Sequence, residues 1–224
     1  ELTSEFDGAD AGIINTCGFL DSAKSEAIDN ILEMAELKKQ GRLGKIIVAG
    51  CMAQRYPDEI RAELPEVDAI VGVGSFADIV SVTERTLRGE EPEELGDKNA
   101  PVDEVGRFVT TGPAWAYLKI AEGCDNRCAY CAIPDIRGRF RSRPMENVLA
   151  EARALAESGV KELIVIAQDI TRYGLDLTGK KQLAALCREL AKIDGVEWIR
   201  LHYLYPELID DELIDEIASE PKIV

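Results

Sequence analysis

The sequence predicts an α/β protein of two domains, each built on a parallel sheet. Three observations carry this. Short strand-like runs alternate with helical periods along most of the chain, one acidic stretch rich in glycine and proline interrupts the alternation, and the alternation then restarts. A length of 224 residues suits one large domain or two small ones.

In the first part, "ADAGIINTC" (9–17) reads as a short buried strand. Residues 22–41 read as a helix with Ile28, Ile31, Leu32 and Ala35 on one face and Gly41 as its stop. "KIIVAGC" (45–51) and "VDAIVGVGS" (67–75) are strands. Residues 57–64 form a helix opened by Pro57, and residues 76–89 form another. Residues 89–114 lack periodicity, and their first part reads as a linker with Glu90, Glu91, Glu93 and Glu94 in solvent. The domain boundary is expected near residue 100, giving domains 1–100 and 101–224. In the second part, residues 114–123 are a strand leading into a cysteine-rich loop. A helix runs from Pro144 to about Ser158, with Val148, Leu149, Ala152 and Leu155 inward and Gly159 as its stop. Strands 161–169 and 196–206 and helices 180–193 and 210–220 follow, and the final "KIV" opens one more strand. The first domain is thus a partial flavodoxin-like parallel sheet, and the second is part of an incomplete (β/α) barrel. Both ends of the chain read as cuts within a domain.

Composition narrows the function. Hydrophobic residues at 46% and charged residues at 30% fit a globular chain, and no apolar run approaches the roughly 18 residues of a membrane span. A net charge of −16 argues against direct nucleic-acid binding, which needs a basic surface. Six cysteines are too few for a secreted disulfide scaffold, so they read as thiols in a reducing compartment, the cytoplasm.

Three of them stand together in "EGCDNRCAYCAIP" (122–134), where Cys124, Cys128 and Cys131 form a C-x3-C-x2-C pattern. A structural zinc would want four ligands, usually from two such hooks, and there is no second hook. A redox dithiol would need two thiols, not three. A cubane iron–sulfur cluster held by three thiolates keeps one iron open to a ligand that is not protein. Cys17 and Cys51 each follow a predicted parallel strand, at the sheet edge where open α/β sheets bind ligands. They read either as two ligands of one metal site or as inert buried thiols.

With "YLKIAEGC" before it and "AIPDIRGRFRSRP" after it, the cysteine loop resembles that of the radical S-adenosylmethionine superfamily. The resemblance implies a radical-SAM barrel and a 4Fe–4S cluster on Cys124, Cys128 and Cys131, with S-adenosyl-L-methionine chelated at the open iron. One electron passed to the sulfonium then yields a 5′-deoxyadenosyl radical that abstracts hydrogen. Tyr130 would pack near the adenine, and otherwise reads as a core aromatic. Gln168 and Asp169, at the end of strand 161–167, would contact the cofactor, and otherwise cap that strand end.

"NTCGF" (15–19) and "VAGCMAQRYPDEI" (48–60) resemble the amino-terminal domain of the methylthiotransferases. That resemblance implies an auxiliary 4Fe–4S cluster on three cysteines, of which Cys17 and Cys51 are present and the third falls before Glu1. The auxiliary cluster would present sulfur to a substrate radical, so that C–S–CH3 replaces C–H. "NTCGFLDSAKSEA" (15–27), "AQDITRYG" (167–174) and "IRLHYLYP" (199–206) resemble the branch that modifies the β-carbon of an aspartate in small-subunit ribosomal protein S-twelve. Ile170 and His202 depart mildly from that pattern. The implied partners are that ribosomal protein and an electron donor. The transfer-RNA adenosine branch and a non-enzymatic electron carrier are the alternatives, and this stretch alone is expected to be inactive.

Arg137, Arg139, Arg141 and Arg143 alternate, and in extended chain they would share one side as a contact surface or as solvated charges. Cys187 reads as core packing and His202 has no ligand role.

Overall fold

The computed structural model describes residues 2–3, 5–102, 104, 106 and 109–224. The chain forms two compact units, Glu1–Asp103 with Arg127–Gly138, and Glu104–Asn126 with Arg139–Val224. Among the described residues no helix is long and apolar enough to cross a membrane.

The first unit holds strands β1 (Ala9–Thr16), β2 (Leu43–Gly50), β3 (Ala69–Gly74) and β4 (Glu93–Gly96) in one parallel sheet, ordered β1-β2-β3-β4. Helices α1 (Asp21–Lys39), α2 (Cys51–Arg55), α3 (Pro57–Glu63), α4 (Ile79–Leu87) and α5 (Ile133–Arg137) complete it. Strand β2 is apolar and buried from Ile46 to Gly50, as suits a central parallel strand covered on both faces. Buried Asp68 ties the sheet to α1 by accepting from the Ile46 N–H at 2.9 Å, Lys45 at 3.0 Å and Lys38 at 2.5 Å. Burial alone would raise its carboxyl, but these three donors outweigh it and hold the group below the usual carboxylate range.

Two expectations need correction here. Helix α1 buries Ala27, Ile31, Met34 and Ala35, whereas Ile28 and Leu32 stay 39% and 50% exposed. The inward stripe is centred on Ile31 and Met34, and the pair at 28 and 32 falls on its flank. Part of the expected linker is strand β4, which pairs with β3 through Ile70↔Glu93 and Val71↔Glu94. An acidic edge strand carries no apolar alternation, so no periodicity announced it. Two glutamates of this stretch are not simply solvated, since Arg85 holds Glu90, before β4, at 2.9 Å and Glu94, within it, at 2.7 Å. The linker expectation for residues 103, 105, 107 and 108 lies outside the described residues.

In the second unit β5 (Trp115–Lys119), β8 (Glu162–Ile166) and β9 (Trp198–Leu201) form a parallel sheet in chain order, and β6 (Ala121–Glu122) pairs antiparallel with β7 (Arg141–Ser142). Helix α6 (Met145–Glu157) crosses from β5 to β8, α7 (Leu175–Thr178) and α8 (Leu183–Ala191) lie between β8 and β9, and α9 (Asp211–Ser219) follows. Sequential parallel strands joined by helices are the start of a (β/α) barrel. Helix α6 buries Val148, Leu149, Ala152 and Leu155, the face its periodicity indicated. Ile223 bridges to Ile199 in parallel, so the last residues do begin to pair. Cys187 is fully buried in this core, and burial pushes its thiol up to about 12.

Candidate metal centre

The cysteine segment leaves β6 and ends at β7, and the pairs Ala121↔Ser142 and Glu122↔Arg141 hold its two ends together. Within it the Cys131 N–H donates to the Cys128 carbonyl at 3.0 Å, so the C-x2-C half is one tight turn. Arg127, just before Cys128, has φ 47°, a left-handed conformation that a non-glycine residue holds only at a cost of order 1 kcal/mol. Cys124 is buried, and Cys128 and Cys131 are half-buried. None of the six cysteines is in a disulfide. Among the described residues no three His, Cys, Asp or Glu side chains are gathered closely enough to hold a single metal ion. The three cysteines of this segment offer sulfur donors, which suit an iron–sulfur cluster better than a hard cation.

At the end of β8, Asp169 is fully buried and acts on the segment. Its Oδ2 accepts from Asn126 Nδ2 at 2.9 Å and Arg172 Nε at 3.2 Å, and its Oδ1 accepts from the Thr171 N–H at 3.1 Å and the Thr171 hydroxyl. Arg172 Nε also donates to Asn126 Oδ1 at 3.1 Å. Both carboxylate oxygens are thus engaged inside the protein. Asp169 is better suited to hold Asn126, which lies between Cys124 and Cys128, than to touch a cofactor directly. Sequence reasoning missed Asn126 and Arg172, because nothing local pairs Asn126 with a residue 43 positions away. Neighbouring Gln168 differs: its Oε1 is buried without a hydrogen-bond partner among the described residues, an acceptor suited to a ligand's N–H or O–H. Tyr130 is 85% exposed, which removes the core-packing alternative and leaves its ring face open.

If the three cysteines hold a cluster, replacing Asn126 with alanine in the full-length protein should weaken its retention by about tenfold or more, the usual size of an outer-shell loss. Iron release to a chelator measures it, and wild-type release from Asn126→Ala would contradict the role.

In the first unit, the register pair Thr16↔Gly50 puts Cys17 and Cys51 just beyond neighbouring strand ends. Their loops press together, for a Cβ at Gly18 would lie 2.7 Å from the Cys51 carbonyl oxygen. Only glycine allows that approach. Arg55 Nη1 donates to the Gly18 carbonyl at 3.0 Å and holds it. Cys17 is half-buried and Cys51 is buried. Two thiols from adjacent strand ends fit part of a cluster site.

The alternating arginines are not one extended run, since residues 133–137 are helical and only 141–142 are strand. Arg143 is buried against Glu104 and Glu151 and is not a surface charge. His202 is exposed beyond β9, and its N–H donates to the Val165 carbonyl at 3.2 Å.

Residues 118–224 match the family model described as the Radical SAM superfamily, and residues 1–72 match one described as Uncharacterized protein family UPF0004. A ribosomal protein uS12 methylthiotransferase RimO from Lachnoclostridium phytofermentans is 53% identical over 224 residues, covering 100% of this chain and 51% of that protein. Its counterparts in Clostridioides difficile and Geobacter sulfurreducens are 52% and 51% identical, each over 100% of this chain and 50% of its own length. The chain therefore spans about half the length of the curated relatives it matches. Among solved structures, the radical S-adenosylmethionine methyltransferase TsrM from Kitasatospora setae, with cobalamin and a [4Fe-4S] cluster bound, superposes with a TM-score of 0.64 at 14% identity. The match covers 98% of this chain and 49% of that one. The radical enzyme OxsB gives a TM-score of 0.57 at 12% identity, over 93% of this chain and 32% of its own. At such identities these two speak for the fold alone. Half-identity to these uS12 methylthiotransferases is sustained from end to end of this chain, and its second half matches the radical SAM superfamily model, so the chain is similar throughout to the RimO-type radical SAM methylthiotransferases.

Proposed function

We propose that the full-length protein is a cytoplasmic enzyme that inserts a methylthio group at the β-carbon of an aspartate in ribosomal protein uS12. The observation that carries this is the identity of about half the residues, over the whole of this chain, to relatives named as ribosomal protein uS12 methylthiotransferases; the aspartate β-carbon rests on the resemblance of residues 15–27, 167–174 and 199–206. In this reading residues 1–100 form the auxiliary-cluster domain and residues 101–224 the radical SAM domain.

Cys124, Cys128 and Cys131 would hold one 4Fe–4S cluster, and Cys17 and Cys51 would contribute to a second. When bound, the first cluster supplies the electron that cleaves S-adenosyl-L-methionine to a hydrogen-abstracting radical, and the second supplies sulfur. The chain's own residues orient these groups. Asn126, held by Asp169 and Arg172, sets the loop between the first two ligands. Gln168 offers its unpartnered oxygen to a donor on the cofactor, and Tyr130 offers a ring face for the adenine. Hydrogen abstraction from an unactivated carbon needs such orientation, because a free radical reacts with whatever lies nearest. A reductant from outside the chain must deliver the electron.

The test uses the full-length protein with both clusters rebuilt anaerobically, a chemical reductant, S-adenosyl-L-methionine, uS12 and transfer RNA. The expected result is 5′-deoxyadenosine together with a methylthiolated aspartate in uS12. Cofactor cleavage with transfer-RNA adenosine modified instead would overturn the substrate, and electron uptake with no cleavage would overturn the enzyme.

A further inference from the structure

We propose that Arg137 positions the sulfur of Cys51 and raises the reduction potential of the auxiliary cluster. This rests on the reading of Cys51 as a cluster ligand. Arg137 Nη2 donates to Cys51 Sγ at 3.1 Å, within reach of an N–H···S bond. Cys51 is only 6% exposed, so water screens that contact little.

The arginine is held in place by its own element. It is the last residue of α5, which packs on α2 and β3 of the same unit. Ile136 beside it is 1% exposed, and Lys98 donates to the Asp135 carbonyl. Gly138 then turns the chain with φ 74°, and a Cβ there would lie 2.5 Å from the Lys98 carbonyl oxygen, so only glycine fits. Helix α5 opens at Ile133, two residues beyond Cys131. One short segment therefore carries a candidate ligand of the first cluster and a cation on a candidate ligand of the second.

The charge has a defined consequence. A guanidinium is protonated at any working pH and its N–H groups only donate. Reducing a cluster adds one negative charge, spread partly over its sulfurs. A cationic donor on a ligating sulfur stabilises the reduced form more than the oxidised one, which moves the potential up. An arginine that merely docked α5 would leave the potential alone.

The experiment is an EPR-monitored redox titration with dithionite on the full-length protein with both clusters rebuilt, comparing Arg137→Gln and Arg137→Lys with wild type. A C124A/C128A/C131A background isolates the auxiliary signal. The expected result is a lower auxiliary midpoint in Arg137→Gln, a smaller drop in Arg137→Lys, and an unmoved midpoint for the other cluster. If Arg137→Gln fails to load the auxiliary cluster, Arg137→Lys still decides by the direction of its shift. An unchanged auxiliary midpoint, or equal shifts in both clusters, overturns the inference. A Cys51→Ala protein with wild-type iron content would instead defeat the ligand reading beneath it, which separates the two failures.

Discussion

Alanine in place of Cys124, Cys128 and Cys131 should reduce 5′-deoxyadenosine release by the full-length protein to background while leaving the fold intact. The chemistry predicts total loss, because in the proposed reading these three thiolates are the protein ligands that hold the cluster. Each single variant should lose nearly as much, since ligands of one cluster act as a unit and their effects do not add. The fold should survive because Cys128 and Cys131 are only half-buried, and buried Cys124 lies beside β6, whose pairing with β7 closes the segment's ends independently of sulfur. Cys187→Ala is the matched control. Its thiol is 0% exposed in the core, so the variant should lose about 1 kcal/mol or more of stability yet keep wild-type iron. Cofactor cleavage surviving in Cys128→Ala would sink the assignment.

Much of this site was legible because its signals are local. The three-cysteine spacing, the strand before it and the cysteines after two further strands are short-range patterns, and β2 and α6 declare their burial in their own periodicity. What escaped was long-range or polar. The acidic strand β4 has no apolar face to read, and its pairing depends on β3. Asp169 follows a strand end as its sequence position indicated, but the partners of its oxygens, Asn126, Thr171 and Arg172, could not be read from spacing. The arginines from 137 to 143 looked equivalent, yet backbone changes within seven residues of chain give one a sulfur and another two carboxylates. Sequence spacing does not encode such partners, which are set by tertiary packing.

Arg143→Met should cost the second unit about 3 kcal/mol at neutral pH, and the deficit should shrink on acidification. Arg143 is 7% exposed and donates to Glu151 at 2.6 Å, to the Lys119 carbonyl at 2.7 Å and to Glu104 at 3.0 Å. The Tyr173 hydroxyl in turn donates to the Arg143 carbonyl at 3.0 Å. Removing the cation leaves two carboxylates partly desolvated, the situation in which a broken ion pair is expensive. Their partial exposure keeps the cost at the lower end of that range. For Glu104, burial raises the carboxyl, but hydrogen bonding and charge from Arg143 outweigh it and hold the group below its ordinary value. A depressed folded pKa contributes stability above the unfolded value, near 4.3, and loses it as pH falls through the folded one. In Arg143→Met the burial of Glu104 is opposed only by the weaker influences of Asn147 and Lys119, so protonation relieves the strain that the substitution creates. Trp115 and Trp198 are the only tryptophans and both lie in this unit, so their fluorescence during urea unfolding reports on it directly. A deficit that stays constant from pH 7 down to pH 4 would mean that the guanidinium acts there by packing its stem and not by its charge.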